Sequence, residues 1–125
     1  MLQTGYVLVV EDDPFYSKIY QTKLAKEKIP CEVVGNGNIA LKRALEKQPA
    51  LILLDLIMPE KDGFETLTDL KAEATLRDIP VIVLSNLSQE EDMKRVLGLG
   101  ASEYLVKADV PIQTVIEKVK HYIGL

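Results

Sequence analysis

Leu51-Ile52-Leu53-Leu54-Asp55-Leu56-Ile57-Met58-Pro59-Glu60-Lys61-Asp62-Gly63 opens on four consecutive apolar residues and then stops at an acid. An apolar run of four without alternation suits a strand covered on both faces, as in a parallel sheet. Met58-Pro59 and Asp62-Gly63 mark the loop that follows, since proline resists continuation of the strand and Asp-Gly is turn chemistry. Asp55 therefore stands at the carboxyl end of a buried strand, where open α/β sheets gather their ligands.

The same arrangement recurs along the chain. Residues 6–10 (Tyr6 to Val10) lead into Glu11-Asp12, residues 81–84 lead into Ser85, and Glu103–Val106 leads into Lys107. Cys31–Val34 is a fifth run; it and Glu103–Val106 are more mixed and are expected nearer an edge of the sheet. Between the runs the apolar spacing is helical. Phe15 and Ile19 share a face in the first segment, flanked by Tyr16, Tyr20 and Leu24. Ala40, Leu41, Ala44 and Leu45 mark the second, Phe64, Leu67 and Leu70 the third, and Met93, Val96 and Leu97 the fourth. Ile112, Val115, Ile116, Val119 and Ile123 form the strongest stripe, in the last. All are expected to face the core. Asp13-Pro14 reads as an N-cap followed by proline in the first helical turn. Asn36-Gly37-Asn38 reads as a turn, and Gly98 and Gly100 close the fourth helix.

Strict alternation of strand and helix predicts an α/β fold, a doubly wound five-stranded parallel sheet in the order 2-1-3-4-5 with right-handed crossovers. The switch point of that order lies between the first and third strands, beside Glu11-Asp12 and Asp55. Three acids, the Ser85 hydroxyl and the Lys107 ammonium then meet in one crevice. Two bare carboxylates in contact repel by about 4 kcal/mol in a partly screened site. A divalent cation relieves that repulsion, and Lys107 adds positive charge opposite. The constellation reads as a site for a metal and an anion.

The 125 residues are expected to form a single domain, 1–125. A net charge of −4 argues against a nucleic-acid partner bound through a broad basic face. Lys94-Arg95, Lys118 and Lys120 read as solvated helix sides. Cys31, the one cysteine, reads as a small buried residue without a redox role. Met1 to Gly5 carry no basic region, so no secretory leader is expected. No apolar stretch is long enough to span a bilayer, and a cytoplasmic location is expected.

The chain resembles the receiver domains of two-component response regulators over essentially its full length. The resemblance rests on Glu11-Asp12-Asp13, on Asp55 with Met58-Pro59 and Asp62-Gly63, on Ser85, and on Gly100-Ala101-Ser102-Glu103-Tyr104-Leu105-Val106-Lys107, in that order. It implies a flavodoxin-like fold and a phospho-accepting switch, with no turnover role as an enzyme. Asp55 is implied as the phosphoacceptor, taking its phosphoryl group from a histidine kinase or phosphotransfer protein. Asp12, Asp55 and the Ile57 carbonyl are implied ligands of Mg²⁺, with Glu11 assisting through water. Ser85 and Lys107 would contact the phosphoryl oxygens. On phosphorylation Ser85 would shift and Tyr104 would turn inward, changing the face of helix 4, strand 5 and helix 5 that meets a protein effector. Ile57, Asn86 and Leu87 flank the approach of hydrolytic water and are implied to set the phosphoryl lifetime. The implied assembly is a monomer or a phosphorylation-dependent dimer.

These roles agree with general chemistry. Mg²⁺ takes oxygen ligands and retains several waters, so a few carboxylates and one carbonyl suffice. Phosphoryl transfer asks the protein mainly to position groups and neutralise oxygen charge. Two departures from the family pattern stand out: Ala108 follows Lys107 where proline is usual, and Asn86 follows Ser85 where a smaller residue is usual. The Lys107–Ala108 bond is expected to be trans. His121 is expected to be exposed and without a catalytic part.

Three rivals belong to other classes. An aspartyl-phosphate hydrolase would need a second acid two residues after Asp55, where Ile57 stands. A flavodoxin-like cofactor carrier would need a hydroxyl- and glycine-rich first loop. A purely structural relative would not need every reactive position filled. No effector segment follows the last helix in the sequence, so output is expected to pass to a separate protein, or the chain is a piece of a longer regulator or hybrid kinase.

Overall fold

Five strands and five helices alternate through residues 5–125, the residues described by the computed structural model. The expectation of no leader over residues 1–4 lies outside the described residues. In chain order the elements are β1 (Val7–Val10), α1 (Pro14–Lys26), β2 (Cys31–Val34), α2 (Gly37–Glu46) and β3 (Leu51–Leu54). They continue with α3 (Gly63–Ala72), β4 (Val81–Ser85), α4 (Glu90–Gly98), β5 (Glu103–Val106) and α5 (Ile112–Ile123). The strands are parallel and ordered 2-1-3-4-5.

Each strand alternates its side chains between two apolar layers. Leu8, Val10, Ile52, Leu54 and Val83 pack with Ala40, Ala44, Leu67, Leu70 and Val96 from α2, α3 and α4. Val7, Val9, Leu51, Leu53, Ile82 and Leu84 pack with Tyr20 and Leu24 of α1 and with Val115, Ile116 and Val119 of α5. Every residue of β1, β3 and β4 is buried, whereas every residue of β2 and β5 is half-buried, as edge strands must be. Losing one of the fully buried leucines, such as Leu67, costs about 2–5 kcal/mol by transfer and cavity terms.

Side chains start three of the helices. Asp13 Oδ1 accepts from Phe15 N–H at 2.9 Å, Asn36 Oδ1 from Ile39 N–H at 3.0 Å, and Asp62 Oδ1 from Glu65 N–H at 2.9 Å. Asn36-Gly37-Asn38 is thus a helix start and not a free turn, and Asp62-Gly63 likewise opens α3. A Cβ at Gly37 would lie 1.9 Å from Thr66 Oγ1, so α2 approaches α3 through a missing side chain. A Cβ at Gly63 would lie 2.3 Å from the Asp55 carbonyl oxygen. The start of α3 therefore presses directly on the main chain that carries Asp55.

Several local expectations change. Capping at Asp13 sets the phase of α1 so that Tyr20 and Leu24 point inward, leaving Phe15 67% exposed. Leu45 and Leu97 are also exposed, each at the margin of its helical stripe. Cys31 is half-buried on an edge strand, and burial raises its thiol pKa. Lys118 and Lys120 pair with Glu103 and Glu27, and Arg95 lies 4.1 Å from the centre of the Phe64 ring. Ser85 closes β4 instead of following it. The Lys107–Ala108 bond is trans, there being no cis bond among the described residues. His121 is exposed, and no helix of the described residues is long and apolar enough to cross a membrane.

Candidate functional site

The sheet's hydrogen bonding runs one residue past the strand ends. Glu11 N–H donates to the Val34 carbonyl, Asp55 N–H to the Val10 carbonyl and Lys107 N–H to the Ser85 carbonyl, each at 3.0 Å. Val10 and Leu54 are directly paired, so Glu11 and Asp55 leave adjacent strands at the same level. The topology alone thus sets two acids side by side. Gly63 N–H donates to the Leu56 carbonyl at 2.9 Å, which turns the chain sharply after the nucleophile candidate.

The side chains converge as the positions of their strands require. Carboxylate oxygens of Glu11, Asp12 and Asp55 lie within 4.8 Å of one another. Glu11 and Asp55 are buried, and Asp12 reaches out into solvent. Asp55 Oδ1 accepts from Leu56 N–H at 2.8 Å, and its Oδ2 lies 3.4 Å from Lys107 Nζ. Lys107 also donates to Glu11 Oε1, while Glu11 Oε2 accepts from Asp13 N–H at 3.1 Å. Burial lifts the Glu11 carboxyl to about 7; the Asp55 charge adds to the rise, and the Lys107 contact opposes it. Glu11 is therefore a carboxylate under stress. Positive charge brought near it returns it to the ionised form.

Asp13 stands apart from this group, capping α1 as its place before Pro14 implies. Ile57 is 58% exposed and lines the cleft of about 390 Å³ that contains Glu11, Asp12, Asp55 and Lys107. Asn86 lines the same cleft, and its Oδ1 accepts from Ala108 N–H at 3.0 Å. The two departures from the family pattern are thus bonded to each other, because a proline at 108 would have no N–H to give. Ser85 is fully buried, and its Oγ accepts from Leu87 N–H at 3.3 Å, which leaves the hydroxyl proton available to another acceptor. Tyr104 already points inward, the rotamer the resemblance implies only on phosphorylation: its hydroxyl donates to the Leu87 carbonyl, and its ring packs on the α2–α3–α4 side of the core. Burial raises its phenol pKa, and the neighbouring Ser85 hydroxyl opposes that rise. Leu87 is half-buried beside them.

Sequence reasoning missed Tyr16. Its ring lines the cleft and lies 4.3 Å from Lys107 Nζ, 91 residues away along the chain (107 − 16). Its place four residues after Asp12, in the first turn of α1, was the one available signal.

Comparison with known proteins agrees with this geometry. The family model described as response regulator receiver domain matches residues 7–120. The polar-differentiation response regulator DivK of Brucella anthropi is 32% identical over 118 residues, covering 94% of this chain and 95% of its own. The response regulator DctR of Bacillus subtilis is 32% identical over 120 residues, covering 93% of this chain and 52% of its own. This chain thus spans about half the length of some of the curated relatives it matches and nearly all of others. Among solved structures, the signal receiver domain of a signal transduction histidine kinase from Syntrophus aciditrophicus superposes with a TM-score of 0.88. It is 33% identical and covers 97% of this chain and 91% of its own.

Proposed function

The chain belongs to the response regulator receiver domain family of two-component signalling, and on that premise we propose that Asp55 is its phosphoacceptor. The observation that carries the proposal is the meeting of Asp55 with Lys107 at 3.4 Å, within an acid cluster whose oxygens lie within 4.8 Å. The phosphodonor is the phosphohistidine of a histidine kinase or phosphotransfer protein. A carboxylate oxygen of Asp55 attacks phosphorus; the phosphorus–oxygen bond forms as the phosphorus–nitrogen bond breaks. The departing imidazole keeps the electron pair and gains a proton.

The donor set fits Mg²⁺: hard carboxylate oxygens crowd together, and burial, with the Asp55 charge adding to it, raises the Glu11 carboxyl to about 7. Asp12, Asp55 and the Ile57 carbonyl would hold the ion, with Glu11 assisting through water. When bound, the ion neutralises charge on the phosphoryl oxygens. Lys107 holds the opposite side of the phosphoryl group. Ser85 donates its hydroxyl proton to a phosphoryl oxygen, and Tyr104 beside it communicates the change to the α4–β5–α5 face. A protein effector reads that face, by a monomer or a phosphorylation-dependent dimer, in the cytoplasm.

We read the domain, 1–125, as a switch and not a turnover enzyme, because Ile57 occupies the position where a hydrolase would carry its second acid. Ile57 and Leu87 are apolar and cannot orient an attacking water, and Asn86 narrows the approach. The Ile57→Asn, Leu87→Glu double variant is expected to lose its phosphoryl group faster after donor removal. Unchanged decay would remove these positions from control of the lifetime. The main test is incubation with acetyl phosphate and Mg²⁺, read by intact mass. Asp55→Asn is expected to abolish the phosphoryl adduct while leaving the fold intact, and an adduct persisting at the wild-type rate would refute the assignment.

A further inference from the structure

Lys107 is the one cation among the described residues that line the cleft, and its side chain is 5% exposed. Its ammonium has three N–H donors. Two face anions, Glu11 and Asp55. Its remaining side faces the Tyr16 ring, with the nitrogen 4.3 Å from the ring centre. Tyr16 and Lys107 both also border a second space of about 160 Å³, lined by Ile19, Tyr20, Leu84 and Val110 among others. Together the Tyr16 ring and the Lys107 side chain therefore form the wall between a polar cleft and an apolar cavity, with the ammonium set against the ring. Three things fix that wall: the Asp13 cap one residue before Pro14, the Tyr20 ring at 6.2 Å and the Phe15 ring at 5.3 Å.

The choice of an aromatic face has a chemical consequence. A third carboxylate there would hold the ammonium by a hydrogen bond and compete with an incoming anion. A ring face attracts the cation through its quadrupole, strongly when the pair is shielded from water, yet takes up no directed donor. The lysine keeps its full charge, and no third anion competes with a phosphoryl oxygen for it. Without the ring, the cavity that Lys107 already borders would open into the cleft, giving the flexible four-carbon chain more room and letting water reach the ammonium.

We propose that Tyr16 is a positioning residue for phosphoryl transfer: its ring face holds the Lys107 ammonium beside Asp55 and keeps water from it. This role rests on Asp55 being the phosphoacceptor, as proposed above. The test uses the full chain as wild type, Tyr16→Phe and Tyr16→Leu, with acetyl phosphate and Mg²⁺ as probe. Initial rates of mass gain are read beside the NMR shifts of the Lys107 ε-methylene protons. Tyr16→Phe is expected to stay within about twofold of wild type and Tyr16→Leu to slow about tenfold, the size of a shielded cation–π contact. The ε-protons are expected upfield in wild type and Tyr16→Phe, from the ring current, and unshifted in Tyr16→Leu. A wild-type rate in Tyr16→Leu overturns the role, and so does a Tyr16→Phe variant as slow as Tyr16→Leu, which would assign the effect to the hydroxyl. If Tyr16→Leu does not fold, unshifted ε-protons in wild type or a slow Tyr16→Phe overturn the role on their own. A wild type that gains no mass refutes the function and this role together. A labelled wild type with an unaffected Tyr16→Leu refutes the role alone.

Discussion

The acidic half of the crevice stands on the middle of the sheet, and the half that carries Ser85, Asn86 and Lys107 stands toward its edge. Glu11 and Asp55 extend β1 and β3, strands with every residue buried, and α1 and α3 beside them begin at the side-chain caps of Asp13 and Asp62. On the other half, β5 is a half-buried edge strand, and neither α4 nor α5 has a side-chain cap, Gln89 and Pro111 standing at those positions. Its loops are joined by single side-chain bonds, from Tyr104 to the Leu87 carbonyl and from Ala108 N–H to Asn86. Like charges that repel are thus held by the part of the molecule hardest to deform. The loops that follow β4 and β5, which must respond to a new anion, sit where few side-chain bonds oppose movement.

Three perturbations separate the halves. The largest expected effect comes from Gly63→Ala, which would drive a Cβ to 2.3 Å from the Asp55 carbonyl oxygen and 2.6 Å from Leu56 Cα. Backbone cannot step aside as a side-chain tip can. A loss of about 1–3 kcal/mol or more is expected from overpacking, together with impaired phosphorylation. Urea denaturation and the mass assay check it, and an unchanged protein would mean that the acidic half is softer than its bonding suggests.

The next effect is in pH. The folded Glu11 carboxyl is raised from 4.5 to about 7, chiefly by burial. Between those values the folded state binds more protons than the unfolded one, so stability falls as pH rises through that window. Glu11→Gln is expected to flatten this fall in metal-free protein, and Mg²⁺ is expected to flatten it in wild type. Urea midpoints at pH 5 and pH 7.5 measure both, and a Glu11→Gln slope equal to wild type would detach the residue from the effect. The smallest effect is a contrast of caps. Asp13→Ala is expected to cost about 0.5–2 kcal/mol, whereas Gln89→Ala, where no cap bond exists, is expected to cost close to nothing. Equal melts for the two would erase the distinction between the halves.

The central strands were legible because burial on both faces leaves an unmistakable apolar run, and their order followed from alternation with helices. The acid cluster was legible for the same reason, since strand ends in a parallel sheet all lie on one edge. Three features were not. The inward face of α1 depends on the cap at Asp13, and its four aromatic or β-branched candidates Phe15, Tyr16, Ile19 and Tyr20 offer two adjacent stripes. Asn36-Gly37-Asn38 has the chemistry of a turn, but Gly37 is there for Thr66, a contact that no local pattern records. The Tyr16–Lys107 and Asn86–Ala108 contacts join segments distant in sequence, and neither residue of each pair predicts its partner.

The three main-chain bonds that carry the sheet past its strand ends also decide how the molecule fails. The amides of Glu11, Asp55 and Lys107 are rungs of the ladder, so each exchanges its proton for deuterium when the strands it joins part, Lys107 at the edge before Asp55 at the centre. Reactive centres on ordinary loops can fray while the rest of a protein stays folded, and they produce folded but inactive populations. Here the chemistry and the architecture share the same hydrogen bonds, so heat or denaturant ends both at one midpoint.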